Sequence, residues 1–298
     1  MKNILIIGCG LLGSSLLRQI KIKKITKKIY IYEKSKVNIS KIKKLKLPGT
    51  IIDKLQDGVT NSDLIILCTP MSEYKNLILK MNKFLSPKTV VTDVGSSKLE
   101  TSKIIKKFLR KDIFWTSSHP IAGSEVSGPE HGKHDLFQNK WCILIKEKKT
   151  NKDHLIILNK FWKKIGSKVA SMSPEKHDMI FSITSHLPHL IAYNLVKSAQ
   201  DFEKQKNYNL IKYSAGGLRD FSRIAASNEI MWRDIFFYNN KNMSKAIDLF
   251  IKNLNSFKKD INSKNNSSIL EKLIKTKKVR SKIIKLKQDI NKPDFGRS

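Results

Sequence analysis

Apolar residues in the first half of the chain form short continuous runs, and each run is followed by a segment with helical spacing. Runs of this kind predict strands buried on both faces, because a half-solvated strand would alternate apolar and polar residues. The predicted strands cover residues 3–8, 28–32, 63–68, 89–93 and 113–118, and the helices between them include 14–20, 72–84 and 98–109. Repeated β–α units predict a parallel, doubly wound sheet that binds ligands beyond the carboxyl ends of its strands.

The pattern becomes wholly helical in the second half. Residues 141–146, 152–165 and 168–171 still predict a strand, a helix and a strand, which complete the first domain. From Ser173-Pro174 onward the apolar spacing is that of helices, through residues 243–257 and 269–286. We therefore predict the fold class α/β, with a Rossmann-type domain over residues 1–172 followed by an all-α domain over residues 173–298.

The helix that begins at Ser173-Pro174 carries a polar stripe on an otherwise apolar surface. At about 100° per residue, four of its polar side chains lie within a narrow arc: Asp178, Ser182, Ser185 and His189. Buried polar groups need hydrogen-bond partners, so the stripe predicts a helix that faces a substrate cleft. Pro188 removes one backbone hydrogen bond and predicts a bend.

On a regular helix His177 and His186 point about 180° apart, so they cannot share one metal ion.

The first predicted strand leads directly into a glycine-rich turn. The turn reads GCGLLG, with candidate cofactor contacts at Gly8, Gly10, Leu11, Leu12 and Gly13. In a strand–turn–helix context these glycines let the backbone approach a pyrophosphate. Glu33 stands at the end of the next strand, where an acidic side chain accepts hydrogen bonds from the adenosine ribose. We therefore predict NAD as the cofactor, and NADP is the less favoured choice because Lys34 and Lys36 lie nearby.

Three polar loops follow predicted strands and converge at the same edge of the sheet. They are Thr69-Pro70, the segment DVGSSK (93–98) and His119-Pro120. A histidine at a strand end is, by itself, more often structural than catalytic. At this edge, however, a neutral imidazole is suited to take a proton from a substrate hydroxyl while hydride leaves the same carbon.

Composition excludes some classes of function and leaves others open. The formal net charge is +33, but arginine occurs at only seven positions and the lysines are spread along the whole chain. Nucleic-acid binders concentrate basic residues on one face and favour arginine for bidentate contacts, so we expect no specific nucleic-acid partner. No run reaches the ~18 apolar residues of a membrane span. Three widely spaced cysteines, Cys9, Cys68 and Cys142, favour reduced thiols and a cytoplasmic protein.

Seven segments, in order along nearly the whole chain, resemble the prephenate/arogenate (cyclohexadienyl) dehydrogenases of tyrosine biosynthesis. The segments are GCGLLGSS (8–15), DVGSSK (93–98), HPIAGSEVSGP (119–129), HDMIFSITSHLPHLIA (177–192), GGLRDFSRIA (216–225), MWRDIF (231–236) and PDFGR (293–297). The resemblance implies that the helical half is a dimerisation domain and that the protein is a homodimer. It also implies an NAD-dependent oxidative decarboxylation of prephenate, arogenate or both.

The resemblance assigns roles to individual positions. The residue matching His119 is the base that binds the ring hydroxyl, and the one matching Ser96 hydrogen-bonds nearby. The residue matching Arg219 holds a substrate carboxylate, and the one matching His189 contacts the ring region. The acid matching Glu125 lies in the pocket, and Asp178 belongs to the polar stripe that faces the substrate.

Other functions remain as alternatives. Glu130, His131 and His134 lie near Glu125, but they match no metal motif and hydride transfer needs no metal, so none is expected. Another two-domain hydroxy-acid dehydrogenase would share the dinucleotide platform. A basic protein that uses a nucleotide fold to contact RNA would show salt-sensitive binding. The residues do not distinguish prephenate from arogenate, although Glu125 favours the ammonium group of arogenate.

Overall fold

The amino-terminal half is built on a parallel sheet with strand order β3-β2-β1-β4-β5. A computed structural model describes residues 2–206 and 209–288, so the matched tail segment 293–297 lies outside the described residues. The strands are β1 (Asn3–Ile7), β2 (Lys28–Tyr32), β3 (Thr50–Ile51), β4 (Leu64–Leu67) and β5 (Val90–Asp93). The helices are α1 (Leu11–Ile22), α2 (Lys36–Lys44), α3 (Leu55–Thr60), α4 (Tyr74–Met81) and α5 (Leu99–Phe108).

Alternate residues of the central strands pack into two different cores. In β1, Ile4 and Ile6 pack on one face of the sheet, whereas Leu5 and Ile7 pack on the other. Both faces are therefore covered, which confirms the predicted doubly wound arrangement. The strand order reverses between β1 and β4, and in such sheets this switch point opens a crevice at the carboxyl edge.

A second, three-stranded sheet carries the histidine loop. It contains β6 (Ser118–Pro120), β7 (Trp141–Ile145) and β8 (Lys168–Met172), with α6 (Lys152–Ile165) between the last two. The strand β6 pairs antiparallel with β7, which pairs parallel with β8.

The predicted strand at 113–118 is only partly correct. Trp115 makes a single bridge to Val91, and the chain then crosses to β7, so regular pairing begins at Ser118. This crossing joins the two sheets and carries His119 to the edge where β5 ends.

The remaining described chain is helical. The helices are α7 (Pro174–Phe181), α8 (Leu187–Lys206), α9 (Gly216–Ala225), α10 (Glu229–Tyr238), α11 (Asn240–Asn262) and α12 (Asn266–Lys285). Helix α10 folds back onto the first half, where Asp234 accepts a hydrogen bond from the backbone N–H of Ser72 at 2.9 Å. In the described part of the chain, no helix combines the length and apolar character that a bilayer crossing requires.

The long helix predicted from residue 173 is interrupted by a π-helix over Ser182–His186. Pro188, at the start of α8, has no N–H to donate to the preceding turn, and the π-helix ends two residues before it. Each π turn adds a residue relative to an α-helix, so the side chains on either side no longer follow one regular phase.

Candidate active site

A cradle for a dinucleotide lies between β1 and α1. Gly8 has φ +86°, and a Cβ on Gly13 would lie 2.2 Å from the Gly8 carbonyl oxygen, so the turn needs glycine at both positions. A Cβ on Gly10 would meet no atom within 4 Å, so open space lies beside the first turn of α1. Leu11 and Leu12 form that first turn, and its backbone N–H groups receive no side-chain cap.

The acidic residue expected at the end of β2 lies beside this cradle. The Glu33 carboxylate accepts hydrogen bonds from the backbone N–H groups of Cys9 at 2.8 Å and Ser35 at 2.9 Å. Thr69 packs against Gly8 at the end of β4, and Pro70 follows it. Burial raises the pKa of Cys9 to about 12, and the negative Glu33 adds to that rise, so this thiol stays protonated at neutral pH.

A buried ion pair lies beneath the histidine loop. Lys98 and Asp93 are fully buried, with the Lys98 Nζ 2.5 Å from Asp93 Oδ2. The same ammonium group donates to the Ser118 carbonyl at 2.7 Å, which fixes the peptide that precedes His119. Asp93 also accepts hydrogen bonds from Trp115 Nε1 at 3.1 Å and from the Tyr74 hydroxyl at 3.2 Å. Lys98 is therefore a structural support for the loop, a role for which the sequence offered no signal beyond its place in DVGSSK.

His119 is buried and lies at the end of a row of three side chains. Its Nδ1 is 2.8 Å from His177 Nε2, and His177 Nδ1 is 2.8 Å from Asp178 Oδ1. Phe181 packs against both imidazole rings. Burial lowers the pKa of His119 well below its ordinary value, and electrostatic interaction with His177, Lys98 and His186 lowers it further. His119 is therefore neutral at physiological pH, as a general base must be.

Asp178 does not have the role predicted from the polar stripe. Its carboxylate is fully buried and accepts hydrogen bonds from the backbone N–H groups of Lys98 and Leu99, both at 2.8 Å, as well as from His177. All of these partners are protein groups. The expectation that Asp178 contacts substrate is therefore corrected: it joins α7 to the start of α5 and lies behind His119.

The predicted opposition of His177 and His186 assumed a regular helix, and this segment is not one. Both side chains are fully buried, and both lie close enough to His119 to lower its pKa. The π-helix between them changes the helical phase on which the prediction depended. His186 Nδ1 lies 3.1 Å from the side-chain amide of Asn239, and burial lowers the His186 pKa to about 4. Among the described residues, no group of three or more His, Cys, Asp or Glu is placed to hold a metal ion.

His189 and Ser96 are both only partly buried. The His189 ring stacks on Trp232, with ring centroids 3.8 Å apart, and its Nδ1 is 2.9 Å from the Ser185 carbonyl. A carbonyl only accepts, so Nδ1 carries the proton and Nε2 is a free acceptor. Ser96 is half-buried in the loop after β5, and no described residue hydrogen-bonds to its hydroxyl.

The two arginines of α9 have different surroundings. Arg219 is exposed, and no described residue pairs with its guanidinium. Arg223, one turn later, donates to Glu125 at 3.3 Å and lies close enough to His189 to lower its pKa. Arg223 therefore lies beside Glu125 and His189, two of the residues expected in the substrate pocket, and the role of Arg219 stays a prediction. The resemblance assigned no role to Arg223, although it lies one turn from Arg219.

Two family models match consecutive parts of the chain. The prephenate dehydrogenase nucleotide-binding domain matches residues 16–171, and the prephenate dehydrogenase dimerization domain matches residues 173–276. The cyclohexadienyl dehydrogenase of Zymomonas mobilis is 34% identical over 279 residues, which cover 94% of this chain and 95% of that protein. The prephenate dehydrogenase of Bacillus subtilis is 31% identical over 258 residues, which cover 86% of this chain and 69% of that protein.

A solved structure is similar over the same extent. It is prephenate dehydrogenase from A. aeolicus in complex with hydroxyphenyl propionate and NAD+, with a TM-score of 0.88 and 35% identity. The match covers 95% of this chain and 98% of that chain. The nucleotide-binding model and the NAD+ in that structure agree with a dinucleotide cradle in the first half of the chain. The chain therefore belongs to the prephenate dehydrogenase family.

Proposed function

We propose that this protein catalyses the NAD-dependent oxidative decarboxylation of prephenate to 4-hydroxyphenylpyruvate, of arogenate to tyrosine, or of both, in tyrosine biosynthesis. The observation that carries the proposal is a buried, neutral His119 at the sheet edge where the dinucleotide cradle opens. Residues 1–172 bind the cofactor, and residues 173–298 complete the substrate pocket and form a homodimer. We place the enzyme in the cytoplasm, which suits its three free cysteines.

The residues of the cradle fit NAD. The space beside Gly10 and the uncapped first turn of α1 suit a pyrophosphate, which accepts hydrogen bonds from backbone N–H groups. Glu33 is held at the end of β2, where it accepts hydrogen bonds from ribose hydroxyls and repels the 2′-phosphate of NADP. When bound, NAD supplies the hydride acceptor.

His119 carries the proton chemistry. Its Nε2 takes the proton of the ring hydroxyl as hydride leaves the same carbon, which produces a ring ketone. Loss of carbon dioxide then leaves the electron pair of the broken carbon–carbon bond in the ring, which becomes aromatic. His119 returns its proton to the ring oxygen, so the overall reaction releases no net proton.

The substrate carboxylates require cationic or hydrogen-bonding partners. We assign one carboxylate to Arg223, because its guanidinium can form a bidentate pair and lies beside His189 and Glu125. The bare Nε2 of His189 is an acceptor, so it suits a substrate hydroxyl or ammonium group and not a carboxylate, and the hydroxyl of Ser96 can bond near the reacting oxygen. Glu125 neutralises Arg223 before substrate binds, and it is the acid that an ammonium group on arogenate would meet.

The decisive experiment measures NADH formation with purified protein, using prephenate and arogenate in parallel with NAD and NADP. We expect turnover of at least one substrate with NAD. His119→Asn should lower kcat by roughly 10²–10⁴, the usual contribution of a positioned base, while NAD affinity measured by fluorescence stays nearly constant.

Two results would contradict the proposal. Unchanged turnover of the His119→Asn variant would remove this residue as the base. A protein inert towards both substrates that bound RNA with a steep salt dependence would instead favour the nucleic-acid alternative.

A further inference from the structure

A row of hydrogen bonds runs from the base into the protein interior. The His119 and His177 rings meet at 2.8 Å, and His177 meets Asp178 at 2.8 Å. His177 and Asp178 are fully buried. The reaction described above requires only His119, so the other two side chains have no assigned role.

The hydrogen-bond partners determine where each proton lies. Each oxygen of Asp178 already accepts a backbone N–H, from Lys98 or Leu99, so the carboxylate is an acceptor. The Nδ1 of His177 must therefore carry a proton and donate it to Asp178. A neutral imidazole has one N–H, so His177 Nε2 is an acceptor, and His119 must donate to it from Nδ1. The remaining nitrogen of His119, Nε2, then has a free lone pair.

We propose that His177 and Asp178 are positioning residues that hold His119 in its Nδ1–H form, with Nε2 bare and directed to the substrate hydroxyl. The inference rests on the proposed function for the identity of that hydroxyl. As Nε2 takes the substrate proton, His119 becomes an imidazolium ion, and both Nδ1 protons stay on their nitrogens. Asp178 stabilises the new charge through the polarised ring of His177, as a carboxylate behind a catalytic histidine does in serine hydrolases.

Other charged and titratable groups surround this row. Lys98 and Asp93 form an ion pair below the loop, His186 lies on the π-helix, and Cys142 packs against the His119 backbone from β7. The ammonium group of Lys98 disfavours protonation of His119. Within the row, Asp178 is the acidic group linked to His119 by hydrogen bonds, through His177. Without it, a protonated imidazole in this buried site would lack a linked counter-charge.

Two substitutions at position 177 separate positioning from packing. His177→Gln keeps a carbonyl oxygen that can accept the Nδ1–H of His119, but it breaks the link to Asp178. His177→Phe keeps the ring shape that packs on Phe181 and removes the acceptor. We expect kcat to decrease in the order wild type, Gln, Phe, with a loss of about a hundredfold or more for Phe and little change in substrate KM or NAD Kd.

The pH profile provides a second readout. Protonated His119 has two N–H groups, and in His177→Phe one of them is buried without an acceptor. Protonation is then disfavoured, the pKa of His119 falls, and the acid limb of kcat moves to lower pH. His154→Gln is the matched control, since His154 is a buried histidine on α6, and its acid limb should coincide with that of wild type.

Nitrogen-15 NMR of the protein without cofactor or substrate tests the tautomer directly. We expect His119 to be protonated at Nδ1 and bare at Nε2, with its signals assigned by comparison with His119→Asn. A proton on Nε2 would overturn the inference, as would a Phe variant at least as active as the Gln variant, or an unshifted acid limb.

If neither variant folds, Asp178→Asn replaces them, because its amide oxygen can keep the bonds to Lys98 and His177. The acid limb of kcat for Asp178→Asn should move to lower pH, and an unshifted limb would again overturn the inference. If the wild type is inert towards both substrates, the proposed function fails, and the NMR result still decides the tautomer.

Discussion

At the scale of single residues, the surroundings of each side chain decide between similar candidates. Arg219 and Arg223 occupy the same helix one turn apart, and the family resemblance assigns the carboxylate to Arg219 alone. Arg223 pairs with Glu125 near His189, whereas Arg219 is exposed. A guanidinium that is already held beside the pocket loses less conformational freedom when it binds a carboxylate, so Arg223 is the better anchor.

Substitution of each arginine by glutamine distinguishes the two candidates. Arg223→Gln should raise the KM for prephenate by about tenfold to a hundredfold, which corresponds to the loss of a charge-assisted pair of ~1.5–3 kcal/mol. Arg219→Gln is the matched control and should change KM by less than about threefold. Initial rates at saturating NAD provide the measurement. A larger increase in KM for Arg219→Gln than for Arg223→Gln would restore Arg219 as the anchor.

At the scale of elements, the π-helix and the start of α11 depend on one buried side chain. Asn239 donates to the Asp178 carbonyl at 2.8 Å and lies 3.1 Å from His186 Nδ1. Its own side-chain oxygen accepts a hydrogen bond from Asn242 at 2.8 Å. This amide therefore joins α7, the π-helix and α11 behind the row of catalytic and positioning residues.

Asn239→Ala should lower the free energy of unfolding by ~1–3 kcal/mol, because the Asp178 carbonyl and the His186 ring would lose a buried partner. Urea denaturation followed by circular dichroism measures the change. The control Asn240→Ala removes an exposed amide from the neighbouring position and should stay within about 0.5 kcal/mol of wild type. Equal effects of the two substitutions would show that the Asn239 network does not stabilise the fold.

At the scale of the whole molecule, the helical half exposes many large apolar side chains. On α11 these include Ile251, Leu254 and Ile261, which share one face and are 48%, 55% and 64% exposed. Exposed apolar surface of this kind marks an association interface. This face fits the homodimer proposed above and explains why the helices of one subunit leave so much apolar area uncovered.

Analytical ultracentrifugation should find a species of twice the 34.2 kDa chain mass. Leu254→Lys should shift this species towards the monomer. In a twofold dimer each substitution counts twice, and each buried leucine contributes roughly 1.5–3 kcal/mol. Lys252→Ala, on the same helix, is the control and should leave the dimer intact. A dimer unaffected by Leu254→Lys would place the interface on other helices.

Local patterns were sufficient to predict much of the molecule. Continuous apolar runs predicted the central strands, and the glycine turn with Glu33 predicted the cradle, because each feature depends on neighbouring residues and on backbone geometry. The short elements α2, β3 and α3 were not predicted, since the lysine-rich nine residues of α2, the six residues of α3 and a two-residue strand give little periodicity.

The sequence by itself determined the strands, the glycine cradle and the position of His119, because hydrophobic periodicity and turn chemistry are local. Only the tertiary structure decided what lies behind His119 and beside Glu125. Residues 93, 98, 119 and 177–178 meet because the chain crosses between the two sheets and α7 packs against the start of α5, and no local periodicity predicts such contacts. Buried hydrogen bonds between distant segments convert Asp178 from a predicted substrate contact into the partner of His177.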